Sequence, residues 1–203
     1  MSIDLDKLMN ETKIDIWQQL LEVPSGYKFS ADVKFCKRYE YSTFDAELYL
    51  QNNSPGTVQR VLITMPKEFS GKLPAVVVPF YFPEAMVGFE LETLEELPKF
   101  SEIAMCKDLA ERGFITITAD AYHLTYCPDD KSDRMDFARW QRAGDALLRD
   151  YPQWCGCGKL TADTRLLIDM REKDDRVDTD RIGIAAIRWA VRWRFIPGVW
   201  INA

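Results

Sequence analysis

The chain has 203 residues, 47% of them apolar and 29% charged, a composition typical of one globular domain and unlike that of disordered or fibrous proteins. It carries 26 basic and 32 acidic side chains, for a net charge of −6, so it repels the phosphates of nucleic acids and anionic membranes. We therefore expect neither a nucleic-acid partner nor a membrane partner.

The N-terminal segment predicts helices. Apolar residues recur at helical spacing between residues 3 and 22, and the turn "PSG" closes the pattern, so we assign residues 1–30 to a helical cap segment. This segment lacks the apolar core of a secretory signal, and no window reaches the roughly 18 apolar residues of a membrane-spanning helix. The sequence thus predicts a cytoplasmic protein.

A hairpin and two buried strands follow. "AELYLQN" and "TVQRVLITMP" have the character of strands and flank the turn "NNSPG", which predicts an antiparallel hairpin. "LPAVVVPFYF" and "FITITAD" are continuous apolar runs, typical of parallel strands that are buried on both faces. Between them, "SEIAMCKDLAERG" predicts a helix with Ser101 as N-cap and Gly113 as C-cap. This order is the crossover unit of α/β folds.

The second half of the chain continues the alternation. "AYHLTYCPDDKSDRMD" predicts a loop, "FARWQRAGDALLRD" a helix and "YPQWCGCG" another loop. "KLTADTRLLIDMREK" predicts a helix, and "VDTDRIGIA" a turn into a short strand. One face of that helix is expected to carry Leu160, Thr164, Leu167 and Met170. The sequence therefore predicts an α/β fold whose site lies at the carboxyl ends of its parallel strands.

The cysteines form an odd set without a disulfide framework, so we expect five reduced thiols: Cys36, Cys106, Cys127, Cys155 and Cys157. The pair in "WCGCG" raises the alternative of a thiolate metal site. Such a site needs two more ligands, and the one histidine, His123, lies about thirty residues away. The favoured interpretation is a tight glycine-rich loop that holds two small buried thiols. We expect no metal and no other cofactor.

Three segments, "PAVVVPFYF", "GCGKLTADTRLLIDM" and "VDTDRIGIA", together resemble the α/β-hydrolases, specifically the acetyl-xylan-esterase-like and dienelactone-hydrolase-like branch. The resemblance covers roughly residues 33–185. In that family a strand ending like "RIGIA" runs directly into a Gly-x-Ser-x-Gly turn, commonly GHSLGG, which presents the nucleophilic serine. This chain lacks the turn. The resemblance therefore implies an incomplete α/β-hydrolase fold, with an N-terminal hairpin, then parallel strands with crossover helices, truncated at the nucleophile elbow.

The residues after the expected elbow differ from the rest of the chain. No acidic residue follows Asp180, and three of the six tryptophans lie between residues 189 and 200. A coding argument offers an explanation. If "AAIRWAVRWRFIPGVW" is written in permitted codons, one G inserted before the codon of Ala186 changes the reading to "GHSLGGKMAFYTGCLD". The two motif glycines and the final aspartate follow from the observed residues, whereas the histidine, serine and leucine each need one permitted third base. We interpret residues 31–185 as the N-terminal part of an α/β-hydrolase domain and residues 186–203 as an out-of-frame tail.

A genuine C-terminal strand is the alternative interpretation of this tail. Apolar and basic residues alternate through "RWAVRWRFI", as they do in an amphipathic edge strand. Arg and Trp side chains are also typical interface anchors. On this interpretation the chain is a non-enzymatic binding domain with an acidic partner. A thiol-metal protein that uses Cys155 and Cys157 is a third alternative.

The resemblance implies that the parent gene encodes a serine carboxylesterase acting on a small acyl ester, with an acetylated sugar as one candidate. In such enzymes a serine attacks the ester, a histidine takes its proton and an acid orients the histidine. None of the serines of this chain lies in a Gly-x-Ser-x-Gly context, and the acid and histidine follow the elbow in family order. We therefore name no catalytic residue and expect the chain as written to be inactive.

One part of the site is expected to survive in this chain. In the family, a second oxyanion donor comes from the loop after the strand that matches "PAVVVPFYF", so the backbone of Phe80, Tyr81 and Phe82 is the oxyanion-hole candidate. This turn lacks the family's usual His-Gly, and an aromatic cluster also suits plain packing. Asp120 ends the next strand and is a candidate to face the same cleft. We expect His123 to be a surface or hydrogen-bonded loop residue rather than a catalytic base.

Overall fold

A computed structural model describes residues 21–24, 32–54, 57–79 and 81–186. These residues contain a six-stranded sheet in the order β1-β2-β3-β5-β4-β6. The strands are β1 (Val33–Glu40), β2 (Phe44–Ser54), β3 (Thr57–Pro66), β4 (Leu73–Val77), β5 (Ile115–Ala119) and β6 (Val177–Ile184). The helices are α1 (Pro83–Val87), α2 (Met105–Glu111), α3 (Tyr122–Thr125), α4 (Phe137–Asp150) and α5 (Gly156–Glu172), with a 3₁₀ helix at Pro98–Ile103.

The sheet has an antiparallel half and a parallel half. β2 pairs antiparallel with both β1 and β3, and β3 pairs antiparallel with β5. β4 lies between β5 and β6 and is parallel to both. The predicted hairpin and the predicted parallel strands are therefore confirmed, and the carboxyl ends of β4, β5 and β6 meet at one edge of the sheet.

Alternation along the central strands divides the core into two layers. In β3, Leu62 packs in a cluster that includes side chains of α1 and α2, whereas Val61 and Ile63 pack in a second cluster with α5. All five residues of β5 are buried, which explains why its sequence is a continuous apolar run. The helices thus cover both faces of the parallel half, as the α/β pattern predicts.

The helix predicted for "SEIAMCKDLAERG" begins later than expected. Ser101 lies in the 3₁₀ helix and not at an N-cap, and α2 starts at Met105. Ala104 causes the break, because its backbone (φ −71°, ψ 53°) leaves the helical region between the two elements. Gly113 follows the helix with φ 93°, a left-handed conformation that favours glycine, as the sequence predicts.

The helix near "WCGCG" begins earlier than expected, at Gly156, so the predicted loop is shorter. Leu160 and Thr164 are only partly buried, whereas Lys159 and Asp163 are buried together with the apolar side of the helix. Leu167 and Met170 of the predicted face do pack in the core, and a buried ion pair takes a place beside them that hydrophobicity alone assigns to solvent. The expectation of two buried thiols is also wrong, since Cys157 is exposed and Cys155 is partly exposed.

Three of the predicted regions lie wholly or mostly outside the described residues. They are the helical cap at 1–30, of which only residues 21–24 are described, the oxyanion candidate Phe80, and residues 187–203 of the tail. Their assignments stay predictions.

Candidate functional site

The loops after β4 and β5 form the described part of the carboxyl edge. The loop after β4 passes through Tyr81 and Phe82 into α1, and the loop after β5 passes through Asp120 and Ala121 into α3. The Ala121 N–H donates to the Tyr81 carbonyl over 3.0 Å and so joins the two loops. This edge is where an α/β sheet carries its ligands.

Arg60 holds this edge together through two buried carboxylates. Its Nε and Nη2 donate to Asp120 over 2.9 Å each, and its backbone N–H donates to Asp120 Oδ2 over 3.1 Å. Its Nη1 and Nη2 donate to Glu84 over 2.5 and 3.0 Å. Glu84 also faces Arg134, whose Nη1 lies 3.2 Å from Oε2. The guanidinium of Arg60 thus connects β3, α1 and the end of β5.

The charges in this cluster stabilise one another. Burial alone would raise the pKa of Glu84, which is 2% exposed, but the hydrogen bonds and positive charge of Arg60 outweigh burial and hold that pKa below its usual value. Burial likewise opposes the charge of Arg60, and Asp120 and Glu84 overcome it, so the pKa of Arg60 lies above its usual value. Asp120 does lie at the carboxyl edge, as expected, but it is engaged as an ion-pair partner.

His123 is buried in α3 and does not lie in an open loop. Its ring stacks on Trp140 with centroids 3.7 Å apart, and Nε2 lies 2.9 Å from the Arg134 carbonyl. A carbonyl accepts only, so Nε2 carries the proton of the neutral ring. Burial lowers the pKa of His123 to about 4. Of the two expected positions, surface or hydrogen-bonded, the hydrogen-bonded one is found, in a short helix rather than a loop. The basic lone pair lies on Nδ1, and because the ring is fully buried no substrate proton reaches it, which argues against a role as general base.

Two of the three oxyanion candidates lie within the described residues. Tyr81 is 6% exposed and Phe82 2% exposed, and both belong to the core layer on the α1 side. The Phe82 ring meets Phe100 edge to face at 5.5 Å, and the Arg134 guanidinium lies over the Phe82 ring at 5.2 Å. The side chains therefore pack as the alternative interpretation proposed. The role of the backbone N–H groups of residues 80–82 stays a prediction.

Metal binding and membrane insertion are two further properties that bear on the classes of function that the sequence raised. Within the described ranges, no group of three or more His, Cys, Asp or Glu side chains is arranged to hold a metal ion. In the same part of the chain, no helix combines the length and apolar character needed to span a bilayer.

Solved structures with the same arrangement include three esterases. The fold is similar to that of a protein assigned as an acetyl xylan esterase from Bacteroides fragilis, with a TM-score of 0.66 and 15% identity over 90% of this chain and 47% of that one. It is also similar to a glucuronoyl esterase from Solibacter usitatus (TM-score 0.59, 12% identity, 91% and 53%) and to another from Teredinibacter turnerae (0.53, 12%, 89% and 45%). The chain has a partial α/β-hydrolase fold. It spans about half the length of these structures. No protein-family model matches the sequence, and no curated protein matches it.

The end of β6 is the position in this chain where an α/β-hydrolase fold would continue into the nucleophile elbow. The Ala185 N–H donates to the Val77 carbonyl over 2.9 Å, so the parallel pairing with β4 continues beyond Ile184. β4 itself leads toward residues 80–82. The two segments that the resemblance assigns to the elbow and to the oxyanion donor therefore leave the sheet from adjacent strands.

Sequence reasoning missed Arg60 and Glu84, the central residues of the ion cluster. A faint signal was available: Arg60 interrupts the apolar strand "TVQRVLITMP", and Glu84 is an acidic residue in the first turn of a helix that begins at Pro83. Neither signal identifies a partner, because Arg60 and Glu84 are 24 positions apart and Arg60 and Asp120 are 60 apart.

Proposed function

We propose that the chain is the N-terminal part of a serine carboxylesterase whose reading frame shifts by one base after Ala185. The intact parent would hydrolyse a small acyl ester, with an acetylated sugar as one candidate substrate. Esterases with a similar fold, named for acetyl xylan and glucuronoyl chemistry, support the substrate class. Residues 31–185 would be the N-terminal part of the domain, and residues 186–203 the out-of-frame tail.

One coincidence of position carries this proposal. The restored reading places GHSLGG at positions 186–191, directly after Ala185, whose N–H bonds to β4 at the carboxyl edge. A nucleophile elbow needs that place, a sharp turn from a parallel strand into a helix. In the restored frame the serine falls at position 188, and the following residues read as a helix.

The site would work as follows. The restored serine would attack the ester carbonyl, and the oxyanion would accept hydrogen bonds from the residue after the serine and from a backbone N–H in residues 80–82. Tyr81 and Phe82 are held for this role by the Ala121 hydrogen bond and by the core. The acid and histidine would come from later in the restored frame, so the chain as written would not hydrolyse esters.

The genetic test is resequencing around the codon of Ala186. The proposal expects either a missing G or an open frame, displaced by one base, that continues past the codon of Ala203. That frame should encode further strand and helix pairs, then an acidic residue and a histidine. A stop after Ala203 in the printed frame, with no hydrolase-like sequence in either other frame, would overturn it.

A non-enzymatic binding domain is the second candidate, and one observation favours it. Among the described strands β6 pairs only with β4, and Ile184 is 48% exposed, so this edge accepts another strand. The alternating tail "RWAVRWRFI" would suit it. A confirmed printed frame, with retention of the protein on an acidic peptide column that is lost when residues 187–203 are removed, would select this candidate.

A further inference from the structure

Three of the five cysteines lie around one tyrosine. Burial raises the pKa of Tyr122 to about 12, and the neighbouring thiols of Cys157, Cys155 and Cys127 contribute to the rise. The backbone of Gly156 lies directly against the Tyr122 hydroxyl, so that a Cβ added at Gly156 would overlap it. The segment "CGC" is thus packed on the first residue of α3, next to the carboxyl edge of the sheet.

Within this group, Cys155 and Cys157 are the pair in mutual contact. The Cys157 thiol is within hydrogen-bonding reach of the Cys155 thiol. Cys155 is the N-cap residue of α5 with an extended backbone (φ −115°, ψ 164°), and Cys157 lies in the first turn. The chain therefore bends between them at Gly156. Cα atoms two residues apart are at most about 7 Å from each other, close to the range of about 4.4–6.8 Å that disulfides span, so a bend at Gly156 favours closure.

Access differs between the two thiols. Cys157 is exposed, so a small oxidant reaches it directly, whereas Cys155 is partly covered. Cys106, by contrast, is fully buried, and burial raises its pKa to about 12. An exposed thiol with a covered thiol beside it is the arrangement in which one sulfur reacts with an external disulfide and the second resolves the product.

We propose that Cys155 and Cys157 are a reversible redox site that closes to an intramolecular disulfide when the chain meets a low-molecular-weight disulfide such as oxidised glutathione. The site does not depend on ester hydrolysis, and no metal is required. Oxidation closes a ring through Gly156 and so changes the first turn of α5 where it packs on Tyr122.

The exchange balances in two steps. The Cys157 thiol releases its proton to solvent, and the thiolate attacks one sulfur of oxidised glutathione, which breaks that S–S bond and releases one glutathione thiolate. The Cys155 thiol then loses its proton to solvent, and its thiolate attacks the Cys157 sulfur of the mixed disulfide and releases the second glutathione as a thiolate; the two glutathione thiolates take up protons from solvent. Two protein thiols are oxidised, and one small disulfide is reduced to two thiols.

The rate should depend on pH in one direction. Although the residue is exposed, its sulfur is partly desolvated at the start of α5, and this desolvation and the neighbouring Cys155 raise the pKa of Cys157 above its usual value, so little thiolate is present at pH 7. The exchange should therefore accelerate steadily from pH 7 to pH 9.

The test is a redox titration of the 203-residue protein. The protein is equilibrated with buffers of reduced and oxidised glutathione, acid-quenched and alkylated, and the peptide that contains residues 155–157 is weighed. The proposal expects that this peptide loses two hydrogens, about 2 Da, and escapes alkylation under oxidising buffers, and that a reductant reverses the change. The matched control is the exposed Cys36, which should gain a glutathione adduct and no internal bond.

One variant and one solvent control make the result decisive. Cys155→Ser should stop at a glutathione adduct on Cys157, and the same titration in denaturing guanidinium should give a different fraction of internal disulfide, because the folded turn sets the separation of the thiols. A disulfide from Cys127 to either partner would contradict the proposal. So would full alkylation of both cysteines in every buffer, or identical titrations of native and denatured protein.

Discussion

Replacing Arg60 with methionine would remove a side chain that connects β3, α1 and the end of β5. Methionine keeps most of the volume and none of the charge. The change leaves Glu84 and Asp120, 2% and 7% exposed, without the cation that offers them four side-chain hydrogen bonds. Glu84 keeps its ion pair with Arg134, but that side chain is 44% exposed and stabilises the buried carboxylate less than Arg60 does.

The expected loss follows from burial. Removing one member of a buried ion pair costs about 3–5 kcal/mol, because an uncompensated charge stays in a poorly solvated place. Arg60 is itself 30% exposed, so water would partly replace it, and we expect a loss near the lower end, about 3 kcal/mol. Replacing Arg38, which is 49% exposed and faces Asp45, should cost only about 0–1 kcal/mol and serves as the surface control.

The pH dependence gives this prediction a second signature. In the wild type the pKa of Glu84 is depressed, so its contribution to stability is present above the usual glutamate pKa and is lost as pH falls through the folded value. Without Arg60, burial would instead raise the pKa of Glu84, and the variant would gain relative stability on acidification. The difference between variant and wild type should therefore shrink between pH 7 and pH 4.

Urea unfolding followed by circular dichroism measures both quantities, in the wild type and the Arg60→Met and Arg38→Met variants. A loss below about 1 kcal/mol for Arg60→Met at pH 7 would refute the assignment of this cluster as the connection of the edge. A difference that stays constant from pH 7 to pH 4 would refute the electrostatic explanation.

Three further predictions use the same unfolding assay or NMR. Lys159→Met should cost about 3–5 kcal/mol because Asp163 would stay buried without its partner, and adding Asp163→Leu should restore most of that loss; a single variant as stable as the wild type would contradict this. The pKa of His123 lies at about 4 in the folded state and 6.5 without burial, so stability should fall by up to about 1.4 kcal/mol per pH unit as pH drops from 6.5 to 4, with an NMR midpoint near 4; a midpoint near 6.5 would contradict this. Gly156→Ala should lower the free energy of unfolding by about 1–3 kcal/mol, because the added Cβ would overlap the Tyr122 hydroxyl. A Cβ added at Gly183 meets no atom within 4 Å, so Gly183→Ala should be neutral, and equal effects of the two changes would contradict this.

The sequence was most informative where a single physical signal dominated. The strands β4 and β5 were predicted because continuous apolar runs are typical of parallel strands that lie between two layers of helices, and α4 was predicted at its exact bounds because only a helical period fits its apolar residues. The start of α2 was predicted too early because the residues from Pro98 to Ile103 form a separate 3₁₀ helix, whose apolar spacing resembles that of the α-helix that follows. The buried face of α5 was predicted in part: Leu167 and Met170 lie in the core, but the buried pair of Lys159 and Asp163 has the sequence pattern of a solvent face until its partners are known.

The site was less predictable because its contacts are long-range. The buried Lys159 donates to the Asn53 carbonyl over 2.9 Å, 106 positions away, and the environment of His123 is set by Trp140 and by a carbonyl 11 positions away. Local composition carries no information about such partners. The location of the site at the carboxyl edge was predictable, because it follows from the order of strands and helices.

The measurement that tests the account most directly is ester hydrolysis by the frame-restored protein. One G is inserted before the codon of Ala186, the longer product is purified, and cleavage of p-nitrophenyl acetate is followed beside the 203-residue chain and a variant whose restored serine at position 188 is alanine. The account predicts hydrolysis by the restored protein, loss of most of it in the alanine variant because the nucleophile is gone, and none by the 203-residue chain. Hydrolysis by the 203-residue chain, or a restored protein whose activity survives the loss of that serine, would contradict it.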